Sequence, residues 1–274
     1  DHALMFKALG AQRMIRVAAD GQGRMIPSEL AKTLARLDGP TLVCAQVGNV
    51  NTGAIDAMDP IAEACARHGA WLHVDGAFGL WAAASPTLKA ALAGVARADS
   101  WATDAHKWLN VPYDSGLALV KDPAAHRAAM TVSAAYLIQQ EGDAARDAVD
   151  WVPEFSRRAR GFALYAQLRT LGRRGVGELV ARSCALARRA ATGLAALPGA
   201  TVLNEVVLNQ VLVRFTPPGG GEADAFTRRV VAGVQAEGTC WLSGSTWHGM
   251  AVMRLSVSGQ DTTEADIDRS VAAI

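Results

Sequence analysis

The chain has 274 residues, of which 50% are hydrophobic and 19% are charged, and its formal net charge is +1. A chain of this length and composition buries a substantial core and forms one large or two smaller globular domains. The near-neutral charge gives no broad electrostatic field, which argues against nucleic acid or an anionic membrane surface as a partner.

The spacing of cysteines and histidines argues against metal and disulfide chemistry. The four cysteines lie far apart without a CxxC pair, and the six histidines show no HExxH spacing. Neither a metal site nor a disulfide scaffold is therefore expected. No apolar run reaches the about 18 residues of a membrane span, and reduced thiols are typical of a cytoplasmic protein.

The first part of the sequence alternates apolar runs with helical patterns, which predicts a mainly parallel sheet with crossover helices. Thr41–Val47 (TLVCAQV) has the pattern of a strand. A helix follows, with Asp59 as the predicted N-cap, Pro60 at its first position and Gly69 just past its end. The next strand, WLHVD, ends at Asp75 and places this carboxylate at the carboxyl edge of the sheet, where open α/β sheets bind ligands.

The segment that contains Lys107 precedes another predicted strand, Ser115–Asp122, so this lysine is expected on a connection rather than in a regular element. The pattern then changes, which predicts residues 1–162 as the C-terminal portion of a large domain and 163–274 as a small C-terminal α/β domain. The helices of this later part are predicted around Phe155–Leu171, Val176–Leu197, Ala223–Glu237 and from Thr262, and its strands in TVLNEV, NQVLVRF, TCWLSG and MAVMRLSVS.

Lys107 and Asp75 together suggest a specific chemistry. A lysine amine has an ordinary pKa of about 10.4 and becomes a useful nucleophile when burial or a cationic neighbour lowers that pKa. His106 and Trp108 flank Lys107 and provide such a setting. An amine that condenses with an aldehyde and a carboxylate that pairs with a pyridinium nitrogen are the minimum equipment for pyridoxal phosphate chemistry. Taken singly, the two residues are more typical of an exposed loop lysine and a turn aspartate, and only their combination favours this chemistry.

The segments LHVDGAFGLWA and DSWATDAHKWLNVPYDSG resemble the group II pyridoxal-phosphate-dependent decarboxylases, the family of the aromatic amino acid, glutamate and histidine decarboxylases. The resemblance implies an α/β fold of the PLP-dependent transferase fold type I, which is aspartate aminotransferase-like. The chain begins at Asp1 without the family's upstream phosphate loop. We therefore expect either a longer polypeptide or a second chain that supplies the N-terminal half.

The resemblance also assigns roles to individual residues. Lys107 matches the lysine that bonds to the cofactor aldehyde, Asp75 matches the partner of the ring nitrogen, and Ala77 matches the small residue under the ring. His106 and Asp104 match positions near the cofactor phosphate or the lysine.

Four further residues match family positions. His2 matches the histidine that stacks on the cofactor ring, and Tyr136 matches the tyrosine that donates a proton to the substrate Cα. Ser156 matches a position that approaches the phosphate of the neighbouring subunit, which implies a homodimer with a shared active site. Arg254 matches the arginine that contacts the substrate carboxylate. The residues alone are also compatible with a solvated terminal histidine, a packing tyrosine and a structural arginine.

Some positions depart from the family pattern. Val50 stands where the family often has a hydroxyl residue, so its cofactor contact is either lost or passed to a neighbouring asparagine. Gly76 and Phe78 replace the more usual alanine and tyrosine, and Ala105 replaces a proline. We expect these departures to alter the detailed contacts of the site more than the binding of the cofactor.

The leading hypothesis is an enzyme of amino acid metabolism, a lyase that uses pyridoxal 5'-phosphate on Lys107 to decarboxylate an L-amino acid to its amine and carbon dioxide. An aminotransferase or an aldehyde-forming relative is the alternative, and Tyr136 favours the decarboxylase because a phenylalanine there would indicate aldehyde formation. A third possibility is a non-catalytic subunit or fragment. The sequence does not identify the substrate, because scattered side chains build specificity pockets.

Overall fold

The computed structural model describes residues 13–131, 147–154 and 156–274. In these residues the chain forms two four-stranded sheets with helices packed against them. The α/β fold class predicted from the sequence is therefore confirmed. His2 and Tyr136 lie outside the described residues.

The first sheet has the order β1-β2-β3-β4, with the first three strands parallel and the fourth antiparallel to its neighbour. The strands predicted around residues 41–47 and 71–75 are confirmed. A hairpin-like return without a crossover helix makes the last strand antiparallel. The elements of this part are α1 (Pro27–Leu34), β1 (Leu42–Gln46), α2 (Met58–His68), β2 (Trp71–Asp75), β3 (Ser100–Asp104), β4 (Gly116–Val120) and α3 (Pro123–Met130).

The start of α2 differs from the sequence prediction. Asp59 is not the N-cap, because the helix already begins at Met58 and Pro60 lies within its first turn. The first N–H groups of a helix have no intrahelical partner, so proline is tolerated throughout that turn. The Asp59 carboxylate instead lies 3.5 Å from the Arg97 guanidinium. The predicted end is confirmed, since Gly69 has a left-handed φ of 61°.

The first two strands bury one face of the sheet more deeply than the other. Val43 and Leu72 belong to the face that packs in the core with Ile61 of α2. On the opposite face Leu42 and Trp71 remain 38% and 37% exposed. The period-two pattern follows from strand geometry, in which successive side chains point to opposite faces.

The second sheet is antiparallel and has the order β5-β6-β8-β7. The strand predicted in TCWLSG is misplaced, because pairing begins at Ser243, opposite Arg254, and Trp241 is 79% exposed. Register with a neighbouring strand, rather than local composition, sets this boundary. The elements of this part are α4 (Arg160–Ala195), β5 (Ala200–Val202), β6 (Gln210–Phe215), α5 (Ala223–Glu237), β7 (Ser243–Trp247), β8 (Met250–Ser256) and α6 (Glu264–Ala273).

The long helix α4 contacts the cores of both sheets. Its φ and ψ are non-helical at Gly172, which separates it into two helical stretches, as the sequence pattern predicts. Val180 and Cys184 pack in the core of the first sheet, whereas Ala187 and Leu194 pack in that of the second. The predicted division at residue 162 falls in the first turn of this helix.

Short 3-10 turns connect several of these elements. They span Gly79–Ala84, Lys89–Leu92, Val95–Arg97 and Ala148–Asp150. All four cysteines are free thiols. Within residues 13–131, 147–154 and 156–274, no helix combines the length and the apolar character that crossing a bilayer requires.

Gly79 provides a test of the close packing between the turn after β2 and the end of β1. A Cβ at this position would overlap the Val47 carbonyl oxygen, so Gly79→Ala is expected to lower the free energy of unfolding by about 1–3 kcal/mol. Gly161→Ala is the control, because a Cβ there meets open space within α4 and should stabilise by about 0.5–1 kcal/mol. Equal denaturation midpoints for Gly79→Ala and the unaltered protein would contradict the packing described.

Candidate active site

Asp75 ends β2 at the carboxyl edge of the first sheet. Its neighbours across the sheet are Gln46 of β1 and Ala102 of β3. The Ala77 N–H donates a hydrogen bond to Asp75 Oδ1 at 3.0 Å, and the Val47 N–H donates to the Asp75 main-chain carbonyl at 2.8 Å. The carboxylate is therefore oriented by its own turn at the edge where ligands bind in α/β sheets.

Asp104 ends the adjacent parallel strand β3 and is joined to the same turn. Its N–H donates to the Ala77 carbonyl at 2.8 Å, and its own carbonyl accepts a hydrogen bond from Trp81 Nε1 at 2.9 Å. The Asp104 carboxylate lies 2.8 Å from Lys107 Nζ. Asp75, Ala77, Asp104 and Lys107 thus form one connected group.

Lys107 lies on the loop between β3 and β4, as predicted. The next two residues, Trp108 and Leu109, are fully buried, whereas the Lys107 side chain is 44% exposed. The Ala105 N–H donates to the Ser115 carbonyl at 2.9 Å and closes the base of the loop. Core packing on one side and a hydrogen bond on the other therefore fix the backbone, while the amine pairs with Asp104 at the end of β3.

His106 is fixed by the far end of the same loop. Its Nδ1 lies 2.9 Å from the Ser115 carbonyl oxygen and 3.0 Å from the Ser115 amide nitrogen. The imidazole packs edge-on against the Tyr113 ring, with centroids 4.5 Å apart, and Nε2 is 3.8 Å from the Asp104 carboxylate. His106 is thus part of the group formed around Lys107.

The pKa of the Cys44 thiol reflects its burial and the negative charge of Asp75. Burial, followed by the nearby negative charge of Asp75, raises the pKa of the Cys44 thiol to about 11. Both effects disfavour the thiolate, because one removes water and the other repels a second anion. The Cys44 thiol therefore stays protonated at neutral pH.

Arg254 reaches the turn that follows β1. Its guanidinium donates to the Val50 carbonyl at 3.2 Å and to Ser243 Oγ at 3.4 Å. Among the described residues, the buried Arg254 Nε has no hydrogen-bond partner. The contact uses the main chain of Val50, so the valine side chain does not prevent it. Because β1 and β2 end side by side, the turn that Arg254 contacts follows the same edge of the sheet that Asp75 ends.

The two asparagines that flank Val50 already have partners within the chain. Asn49 Oδ1 accepts a hydrogen bond from the Asn51 N–H at 2.9 Å, and Asn49 Nδ2 donates to Gln46 Oε1 at 3.2 Å. Asn51 Oδ1 accepts from Ser245 Oγ at 2.8 Å. These bonds shape the turn and attach it to the second sheet.

Ser156 is exposed and has a left-handed φ of 46°. The residues that follow it bind the lysine loop, since Arg160 Nε donates to the Asp114 carboxylate at 2.8 Å and Arg158 pairs with the same group at 3.4 Å. The Arg160 hydrogen bond is the main cause that holds the pKa of the Asp114 carboxyl below its ordinary value. The segment after Ser156 is therefore tied to the loop that carries Lys107.

Two residues that support the group around Lys107 were not found from the sequence. Trp81 anchors the Asp104 carbonyl, and Ser115 fixes His106. Neither has a characteristic spacing from Lys107, and tryptophan and serine are common in cores and turns. No pattern in the sequence pointed to them.

The residues of this edge fit a flat heterocycle that carries an aldehyde and a basic ring nitrogen. Asp75 supplies an oriented carboxylate, Ala77 has a small side chain, and Lys107 has an accessible amine. The buried Arg254 Nε, without a partner in the part of the chain that the structure describes, suits an anionic group. This donor set matches the chemistry of pyridoxal phosphate.

The fold and the residues at this edge of the sheet define an α/β protein. A loop that carries a lysine lies beside a parallel strand that ends in an aspartate. The family described as the pyridoxal-dependent decarboxylase conserved domain matches residues 3–216. The chain therefore belongs to the pyridoxal-dependent decarboxylase family. The family inferred from the lysine motif is confirmed.

Curated relatives and solved structures agree with this assignment. The chain is 37% identical over 223 residues to the acidic amino acid decarboxylase GADL1 of Mus musculus, covering 79% of this chain and 40% of that protein. It is 33% identical over 282 residues to the cysteine sulfinic acid decarboxylase of the same organism, covering 96% of this chain and 57% of the relative. A crystal structure of mouse CSAD superimposes with a TM-score of 0.86 at 28% identity, over 100% of this chain and 60% of that one. The chain thus spans about half the length of these relatives.

The raised pKa of Cys44 leads to a test of the Asp75 environment. With a pKa of about 11, roughly one Cys44 in a thousand is a thiolate at pH 8, so alkylation by iodoacetamide should be more than a hundredfold slower than for a free thiol of pKa about 8.5. Mass spectrometry of the Cys44 peptide measures this rate, with denaturant-unfolded protein as the reference. Asp75→Asn removes the repelling charge and should accelerate the reaction. Equal alkylation rates in folded and unfolded protein would show that the pKa of Cys44 is not raised by burial and by Asp75.

Proposed function

We propose that this chain carries the lysine-bearing part of a pyridoxal-phosphate-dependent decarboxylase that converts an L-amino acid to its amine and carbon dioxide. The observation that carries the proposal is the connected group of Asp75, Ala77, Asp104 and Lys107, with Lys107 Nζ 2.8 Å from Asp104. Membership of the pyridoxal-dependent decarboxylase family supports it.

Pyridoxal 5'-phosphate, when bound, supplies an aldehyde for covalent attachment and a ring that accepts the electrons released from a bond at the substrate Cα. In our proposal, Lys107 would hold the cofactor through its aldehyde and exchange places there with the amino group of the substrate and later of the product. Asp75 would pair with the ring nitrogen and keep it protonated, since a nearby anion raises the pKa of a base. Ala77 would leave room for the ring. Asp104 and His106 would lie near the phosphate or the lysine, with the Asp104 carboxylate pairing with the Lys107 amine.

Arg254 is proposed to bind the substrate carboxylate. A guanidinium donates two parallel hydrogen bonds to a carboxylate, and a fixed carboxylate can leave in the direction that the ring requires. Its contacts with Val50 and Ser243 hold the guanidinium at the turn after β1.

Two further roles are assigned to residues outside the described ones. His2 is proposed to stack on the cofactor ring, and Tyr136 is proposed to donate a proton to the substrate Cα. A phenol acts as a general acid when it lies within hydrogen-bond reach of the acceptor atom.

The assembly is proposed to be a homodimer with a shared active site, in which Ser156 approaches the phosphate held by the neighbouring subunit. The exposure of Ser156 supports this role. A second chain that supplies an N-terminal half is the other arrangement we consider. We also propose a division into residues 1–162 and 163–274, and a cytoplasmic location, which the four free cysteines support.

The decisive experiment uses the complete natural protein with pyridoxal phosphate. We expect a visible absorption band that borohydride bleaches, a cofactor mass on the Lys107 peptide, and release of carbon dioxide from a panel of amino acids. Acidic amino acids and cysteine sulfinic acid come first in this panel, because the names of the relatives mention them. Lys107→Ala should abolish both the band and the gas release.

Lys89→Ala is the matched control and should leave the activity intact, since Lys89 lies in a separate 3-10 turn. Keto acid as the main product would favour an aminotransferase instead. Absence of the band in the complete assembly would favour a non-catalytic subunit. Sedimentation as a single chain at every concentration would contradict the shared site.

Replacement of Tyr136 tests the proton donor. Tyr136→Phe removes the phenol, so amine formation should fall by about 10²–10⁴-fold and the product should shift towards the aldehyde, with the amino group left on the cofactor. Chromatography of amine and aldehyde measures the shift. Tyr165→Phe is the control, because this tyrosine is 63% exposed on α4. An unchanged yield of amine from Tyr136→Phe would rule out the assigned role.

A further inference from the structure

Asn110 has an unusual backbone conformation in the loop that carries Lys107. Its φ is 55°, in the left-handed region that non-glycine residues seldom occupy and that asparagine tolerates better than most. Its N–H donates to the Lys107 carbonyl at 3.3 Å.

The Asn110 amide joins the loop to a distant segment. Asn110 Nδ2 donates to the Trp108 carbonyl and to the Ser258 carbonyl, each at 2.8 Å. Asn110 Oδ1 accepts a hydrogen bond from the Gln260 N–H at 3.2 Å. One bond therefore lies within the loop, and two cross to residues 258–260.

Residues 258–260 begin two positions after the end of β8, the strand that carries Arg254. A β-strand is an extended element with a fixed rise of about 3.3 Å per residue, so an anchor just past its end restricts where the strand lies. The same segment is also bound by α4. Gln167 Nε2 donates to the Leu109 carbonyl at 2.8 Å and to Gln260 Oε1 at 3.3 Å, and Arg182 donates to the Gln260 carbonyl.

We propose that Asn110 is a positioning residue that sets the separation between the Lys107 amine and the Arg254 guanidinium. This inference rests on the proposed function, in which Lys107 holds the cofactor that takes up the substrate amino group and Arg254 binds the substrate carboxylate. The loop has other anchors, namely the buried Trp108 and the bond between Ala105 and Ser115. β8 is paired on both sides within the second sheet, so loss of the Asn110 side chain should loosen the contact between the end of β8 and the loop, and with it the placement of Arg254, rather than release Lys107.

The consequence is an effect on substrate binding. The amino group of the substrate would bond to the cofactor beside Lys107, and the carboxylate lies a fixed distance from that amino group, so the carboxylate reaches Arg254 only when the arginine lies at the matching distance. A small displacement of a positioning group can have a large effect on such a fit. An altered separation should raise KM while the cofactor stays attached.

Asn110→Gly is the most informative variant, because glycine accepts a positive φ and only the side chain is lost, whereas alanine would add backbone strain. We expect KM for the amino acid substrate to rise about five- to tenfold, as two hydrogen bonds between segments are lost. The kcat should stay within about twofold, and the fraction of Lys107 that carries borohydride-reducible cofactor should not change.

Asp268→Ala is the control. Asp268 accepts hydrogen bonds from the Arg189 guanidinium at 2.7 Å, a link between α6 and α4 that involves neither the lysine loop nor β8. We expect its KM to equal that of the unaltered protein. An equal rise in both variants would overturn the inference, because general loosening would then explain the effect.

Hydrogen–deuterium exchange of the complete protein gives a readout that does not depend on turnover. The Gln260 amide loses its acceptor in Asn110→Gly, so peptides that cover residues 257–262 should exchange faster, whereas those around Lys107 should not. Unchanged exchange overturns the inference, even if the unaltered protein releases no carbon dioxide and the proposed function itself fails. An active unaltered protein with an unchanged KM in Asn110→Gly overturns the inference alone.

Discussion

The hydrogen bond from the Asp104 N–H to the Ala77 carbonyl, 2.8 Å long, is the contact on which the arrangement of the site depends. It joins the ends of β2 and β3, two parallel strands whose carboxyl ends meet at one edge of the sheet. On one side of it Ala77 orients the Asp75 carboxylate, and on the other Asp104 pairs with Lys107. Because both strands are held in a sheet, two residues 32 positions apart in the numbering of this chain, Asp75 and Lys107, come to one place.

The ion pair between Lys107 and Asp104 is suited to orientation rather than to stability. The two side chains are 44% and 27% exposed, and partly exposed pairs contribute only about 0–1 kcal/mol. Such a pair holds the amine in one direction and still allows it to exchange partners. Stability at this position comes instead from Trp108 and Leu109, which are fully buried beside it. Anchoring and chemistry are thus separated between neighbouring residues of one loop.

The second sheet meets the first at the turn after β1. Asn204 Nδ2 donates to the Thr52 carbonyl at 2.8 Å, and Asn204 Oδ1 accepts from the Leu212 N–H at 2.9 Å, which binds the turn to β6 in a buried setting. Arg254 binds the neighbouring Val50 carbonyl. Buried polar groups without a partner are costly, so these bonds hold the small sheet against the turn after β1. The contact with Val50 is one of those that position the arginine proposed to bind substrate.

The amino-acid sequence by itself determined the α/β class, the strand that ends at Asp75, the loop position of Lys107 and the family, since apolar periodicity and a short continuous motif are local properties. Tyr136 and His2 remain predictions, because they lie outside the described residues. Tertiary structure alone decided the antiparallel direction of β4, the start of β7 at Ser243, and the anchoring of the lysine loop by Trp81 and Asn110. These features rest on pairing and hydrogen bonds between residues far apart along the chain, for which local sequence carries no periodic signal.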